Sequence, residues 1–153
     1  MADELTFMMG KYAAVLPSGF RYCKNHMWCR TLESGIHRFG FSSYAIRLMQ
    51  DVYFLEWSID ADTPVVLKQQ IGNIETSKAT SDLYVPIAGQ LVAFNQAVLA
   101  DPSLINISGY DQGWLFDIAG DITPTLSLEE YFAFLDGAWE LTQRHIKKQM
   151  HEE

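Results

Sequence analysis

From Ile36 to Phe41 the side chains alternate: Ile36, Arg38 and Gly40 point one way, His37, Phe39 and Phe41 the other. That is the two-residue period of a strand with two distinct faces. Short β-prone runs of the same kind recur through most of the chain. Phe20 to Thr31 is rich in aromatics and fits one strand or two short ones, and Val52 to Trp57 is built of strong β-formers. Val65-Val66-Leu67 opens another after the Asp60–Pro64 break, Leu91 to Phe94 follows, and Trp114 to Ile118 is the last, with Trp114, Phe116 and Ile118 alternating. Pro17-Ser18-Gly19 and Glu33-Ser34-Gly35 are turn signals between them. Ser42-Ser43 is placed to cap a brief helix through Met49, offering Tyr44, Ile46, Leu48 and Met49 for burial. Asn95 to Ala100 makes a helical turn stopped by Asp101-Pro102. Many short strands at this spacing predict a mainly β fold, a flattened barrel or sandwich.

The two ends differ in texture. Residues 1–16 mix acids with Leu5, Phe7, Met8, Met9, Tyr12 and Val15, which fits a short helix on the domain or a loose lead-in. After Asp121 the period becomes helical. Ser127-Leu128-Glu129-Glu130 is a capping box, and Leu128, Tyr131, Phe132, Leu135, Ala138, Trp139, Thr142 and Ile146 recur at three- and four-residue steps. Arg144, His145, Lys147 and Lys148 lie where a helix C-terminus favours positive charge. The division expected is an N-terminal extension over 1–17, a β domain over 18–120 and a C-terminal helical extension over 121–153, a single helix across 128–149. That helix is structural cover for a sheet edge or an association face.

One stretch stands apart. Gln70 to Ile74 and Leu83 to Val85 are β-prone, and Thr76-Ser77-Lys78-Ala79 between them is a tight polar turn, with Pro86 and Gly89 closing the second strand. The hairpin displays one lysine at its tip. A lysine attacks an activated acyl group only as the free amine, and Glu75 and Asp82 nearby favour the charged form. Lys78 therefore shows no sign of being a self-activated catalytic lysine.

Charge sharpens this picture. The 153 residues carry a net charge of −8 and are 48% hydrophobic, which fits a packed domain and argues against nucleic acid or an anionic membrane as partner. Residues 51–121 hold ten acids against Lys68 and Lys78, so the lysine sits in an acidic field suited to partners with basic faces. Two cysteines, Cys23 and Cys29, are too few for a disulfide scaffold. The start lacks a secretory pattern and no apolar run spans a membrane, so the chain is expected in the cytoplasm. The four histidines, 26, 37, 145 and 151, show no metal spacing, and no metal is expected.

The turn resembles the lipoylation site of the glycine cleavage H proteins and their lipoate-carrying relatives, in which Glu, two small residues and Lys-Ala precede Ser-Asp. Further segments resemble the family in the same order: His26-Met27-Trp28, Gly40-Phe41 through Tyr44-Ala45, Asp51-Val52-Tyr53-Phe54, Leu104-Ile105-Asn106 and Tyr110-Asp111-Gln112-Gly113-Trp114-Leu115. Roughly residues 18 to 119 are covered. The resemblance implies a barrel-sandwich hybrid of the lipoyl-domain type, a lipoic acid cofactor as an amide on Lys78, and a carrier rather than an enzyme. Glu75, Thr76, Ser77, Ala79 and Asp82 would be the residues a lipoate ligase recognises.

Met27 stands where the family has the Glu of His-Glu-Trp, understood to help hold a cationic aminomethyl cargo. With Cys23, Cys29 and His26 around Met27 as candidate arm-docking or accessory groups, the chain looks like the lipoate-binding proteins of sulfur oxidation. Its partner would then be a heterodisulfide-reductase-like complex. The alternative is the glycine cleavage carrier, serving the glycine cleavage enzymes and dihydrolipoyl dehydrogenase. A third reading is a thiol protein in which Cys23 and Cys29 act without a cofactor.

Overall fold

The structure, a computed structural model, describes the backbone of residues 3–152 and side chains up to Arg144. The chain opens with a two-stranded hairpin, β1 (Glu4–Met9) and β2 (Tyr12–Pro17). Neither the helix nor the lead-in expected there forms. Gly10 at φ 63° turns the chain between Met9 and Tyr12, and Phe7 and Met9 then bury the same face as Ala14 and Leu16. The period is two, in runs too short to announce themselves.

Next come β3 (Arg21–Tyr22), β4 (Met27–Glu33), β5 (Ile36–Phe41), α1 (Ser43–Met49), β6 (Val52–Trp57), β7 (Thr63–Val65), β8 (Gln70–Thr76), β9 (Thr80–Tyr84) and β10 (Gly89–Phe94). The chain continues through α2 (Gln96–Ala100), α3 (Leu104–Ile107), β11 (Phe116–Gly120) and α4 (Leu128–Glu152). A six-stranded sheet has the order β3-β4-β5-β11-β10-β7, and a three-stranded sheet the order β6-β8-β9. Phe39, Leu91, Phe116 and Ile118 of the larger sheet share one core with Leu55, Ile71, Ile74 and Leu83 of the smaller. The expected β sandwich with a C-terminal helix is what forms.

The start of β4 in the larger sheet is buried on both faces. In β4 Met27 and Cys29 enter the shared core, while Trp28 between them points to the other side. There Trp28 meets Phe7, Leu16, Tyr22, Tyr44, Tyr131 and Leu135, a second core assembled from the terminal hairpin, α1 and α4. The Trp28 indole N–H donates to the Gly109 carbonyl at 2.8 Å. Only glycine fits at position 40, where a Cβ would stand 2.5 Å from the indole ring. The helix caps as its sequence indicates: Ser127 Oγ accepts from the Glu130 N–H at 3.1 Å, and the Glu130 carboxylate accepts from the Ser127 N–H at 2.8 Å. Ile146 and the basic residues 145, 147 and 148, expected on this helix, lie outside the described side chains.

Three expectations shift. β7 ends at Val65 rather than continuing through Leu67, because Lys68 at φ 67° bends the chain and the Gln69 N–H turns back to the Val66 carbonyl. The last strand begins at Phe116, since Trp114 is held out of it under the Arg38 guanidinium, 3.7 Å from the ring centre. In α1, Tyr44 is buried and Ile46 and Met49 pack half-buried against the core as expected, but Leu48 stays exposed and Ala45 is buried instead.

Candidate functional site

β8 and β9 form an antiparallel pair that ends at Glu75 opposite Thr80. Thr76 closes the loop. Its N–H donates to the Ala79 carbonyl at 3.0 Å, and its Oγ1 accepts from the N–H groups of Lys78 at 3.2 Å and Ala79 at 3.3 Å. A threonine hydroxyl used this way replaces the water that a polar tip would otherwise bind. Ser77 anchors the tip sideways: its N–H donates to the Asp51 carbonyl at 2.9 Å and its Oγ accepts from the Asp51 N–H at 3.2 Å. Lys78, between these fixed points, is exposed. The backbone is held and the amine is presented.

β9 then leads away from the tip. Asp82 lies four residues on, about 13 Å along an extended strand, and stays exposed beside the Tyr84 hydroxyl, which donates to it at 3.4 Å. Tyr84 forms one wall of an open cleft of about 280 Å³. Cys23, Lys24, Asn25, Lys68 and Pro86 are among its other lining residues. Asn25 Nδ2 donates to the Tyr84 carbonyl at 3.2 Å and joins two walls that are 59 residues apart in sequence. Periodicity gives no sign of this cleft, because four segments separate in sequence build it. Among the described residues no cluster of three or more His, Cys, Asp or Glu is placed to hold a metal ion, and no helix is long and apolar enough to cross a membrane.

A family model described as Glycine cleavage H-protein matches residues 20–131. The glycine cleavage system H protein of Streptomyces avermitilis is 36% identical over 120 residues, 77% of this chain and 95% of that protein. That of a Psychrobacter species is 35% identical over 124 residues, 78% of this chain and 98% of its own length. The crystal structure of a glycine cleavage system H protein from Mycobacterium marinum superimposes with a TM-score of 0.69 at 27% identity, over 80% of this chain and 99% of that one. The chain belongs to the glycine cleavage H-protein family. It is accordingly a lipoyl-bearing carrier rather than an enzyme, and an exposed lysine on a hydrogen-bonded hairpin suits an amide-linked group.

Within this H-protein fold the other candidate residues separate. Cys23, Met27 and Cys29 all enter the core between the sheets, whereas His26 turns to the opposite side. There its Nδ1 lies 3.0 Å from the Tyr131 hydroxyl and its ring packs on Tyr44 and Phe134. They do not assemble into one docking group. Burial pushes the Cys29 thiol up to about 12 and the Cys23 thiol up as well, with the neighbouring Cys29 adding to the latter. Neither is an accessible thiolate, which is what an accessory redox group requires. Met27 is 1% exposed, so its position in this chain is part of the core and not of a solvent-facing cradle. The identical parity of 23, 27 and 29 was available in the sequence, but nothing there said which face was covered. Lys24, Asn25, Lys68 and Tyr84 are the cleft residues that the sequence did not single out.

Proposed function

We propose that Lys78 is the lipoyl attachment residue and that the chain is the carrier of the glycine cleavage reaction, acting with the glycine cleavage enzymes and dihydrolipoyl dehydrogenase in the cytoplasm. The observation carrying this is the presentation of Lys78: exposed, at the tip of a loop fixed by Thr76 and Asp51, in a chain similar over most of its length to H proteins. The lipoyl group, when bound, supplies a dithiolane that interconverts between disulfide and dithiol. The chain's own residues supply position. Thr76, Ser77 and Ala79 fix the tip, and Glu75 and Asp82 add charge for a ligase to recognise. A tether of this kind raises the effective concentration of its end at each partner.

A second reading, sulfur oxidation with a heterodisulfide-reductase-like complex, is supported by one feature. Two lysines, Lys24 and Lys68, line the cleft, and that charge suits an anionic cargo better than an ammonium. The comparisons, which name glycine cleavage H proteins, favour the first reading. Cys23 and Cys29 are both buried, which counts against accessory thiols and against a cofactor-free thiol protein.

The deciding experiment offers the lipoylated chain to glycine decarboxylase with glycine and labelled bicarbonate. Glycine-dependent exchange of label, absent with unmodified chain, is the expected result. No exchange, together with sulfite- or thiosulfate-dependent labelling of the chain, would replace the first reading by the second.

A further inference from the structure

β6 contains a bulge. Val52 pairs with Thr76 and Phe54 with Glu75, which leaves Tyr53 as an extra residue without a partner on β8. In a regular strand Phe54 would share the buried side with Val52. The bulge instead leaves Tyr53 and Phe54 both outside, 65% and 45% exposed, and returns Leu55 to the core at 4%. Ile107, the last residue of α3 and 75% exposed, follows the residue that ties α3 to the start of β6. Its neighbour Asn106 secures the arrangement: Oδ1 accepts from the Val52 N–H at 3.0 Å, and Nδ2 donates to the Gln50 carbonyl at 2.7 Å. Asp51, between these residues, is the one bonded to Ser77 on both its N–H and its carbonyl. One hydrogen-bonded unit thus carries the lysine loop and three large apolar side chains.

The rim is acidic. Asp51, Glu56 and Glu75 are exposed around these residues. The neighbouring cation of α1, Arg47, lies over the Tyr12 ring at 4.6 Å. Isolated exposed apolar residues are ordinary, but a cluster with a charged rim beside a modification site has the anatomy of an interface.

We propose that Tyr53, Phe54 and Ile107, bordered by Asp51, Glu56 and Glu75, form the docking surface for the enzyme that acylates Lys78. The matching face on that enzyme is an apolar recess edged with lysine and arginine. The proposal rests on Lys78 being the attachment residue. Reach selects this occupant. The bare amine extends one lysine side chain from the tip, so its acylating enzyme must sit on the tip itself. An interface of ordinary size, about 800 Å² per partner, then covers the segments tied to that tip. Enzymes that act on the completed arm can stand farther away. In the step served, the lysine nitrogen attacks the carbonyl of a lipoyl adenylate. The N–C bond forms, the C–O bond to AMP breaks, AMP leaves, and the ammonium proton passes to a base on the enzyme.

The test follows lipoylation by a purified lipoate–protein ligase with lipoate and ATP, using intact mass against time. Tyr53→Ser/Ile107→Ser should lower kcat/KM at least tenfold, mainly through KM, with an unchanged melting curve because both positions are exposed. Asp51→Asn/Glu56→Gln should lower it several-fold and flatten its dependence on added salt, since a charged rim acts mostly on association. Both variants, once fully lipoylated, should be reduced by dihydrolipoyl dehydrogenase at the wild-type rate. Wild-type kcat/KM for lipoylation in the serine variant would overturn the proposal, as would an equal loss with the dehydrogenase. An unmodified wild-type chain would instead overturn the assignment of Lys78 and the docking surface with it.

Discussion

His26 shows how much a single residue can be asked to do away from the lysine. It holds φ 69°, and the Tyr131 hydroxyl bridges its Nδ1 at 3.0 Å to Ser42 Oγ at 2.9 Å. Burial lowers its imidazole from 6.5 to about 4. Between those values the unfolded chain binds a proton that the folded one does not, so stability rises with pH across the window and falls on acidification. At about 1.4 kcal/mol per unit, the loss from pH 6.5 to 4 is on the order of 3 kcal/mol. Asp121 and Glu130 are held low by hydrogen bonds from Thr123 and Ser127 and lose their share at lower pH. Urea denaturation at pH 7, 5.5 and 4 should show this decline in the wild type. His26→Asn, which keeps a residue tolerant of positive φ, should show a flatter one. Parallel curves would remove His26 from the account.

Among the elements, α4 and the hairpin of β1 and β2 depend on each other. Phe7 of the hairpin packs edge-on against Phe132 of α4 at 5.6 Å, and both elements contribute to the same core, so neither has a finished core without the other. Ser127→Ala, which removes the cap, should cost about 1 kcal/mol in chemical denaturation; an unchanged midpoint would mean that docking alone fixes the helix start. The helix and its cap were legible because a 3.6-residue period runs through Leu128, Tyr131, Leu135 and Trp139 in one unbroken segment. The lysine hairpin was legible because turn chemistry and β-formers sit side by side. The terminal hairpin was not: six-residue strands of Phe, Met and Leu suit helix or strand, and Gly10 alone marks the turn. The face choice of Cys23, Met27 and Cys29 was hidden for a different reason. Both sides of β4 are covered, one by the second sheet and one by elements from the two chain ends. Bulges are equally silent, and the one at Tyr53 decides which side Phe54 faces.

At the scale of the molecule, two packed cores support a platform from which the Lys78 amine projects at a loop tip. Thr76 and the Ser77–Asp51 pair tie that projection to the smaller sheet, and the cleft beside Tyr84 opens farther along the same strand. Since Lys78 makes no described side-chain hydrogen bond or salt bridge, changing it should alter chemistry and leave the fold intact. The most direct measurement is intact mass with peptide mapping after incubation with lipoate, ATP and a lipoate–protein ligase. One lipoyl group on Lys78, none on Lys78→Arg, and superimposable melting curves for the two proteins are predicted. A chain that stays unmodified, or one that takes the group on a different lysine, would contradict the account.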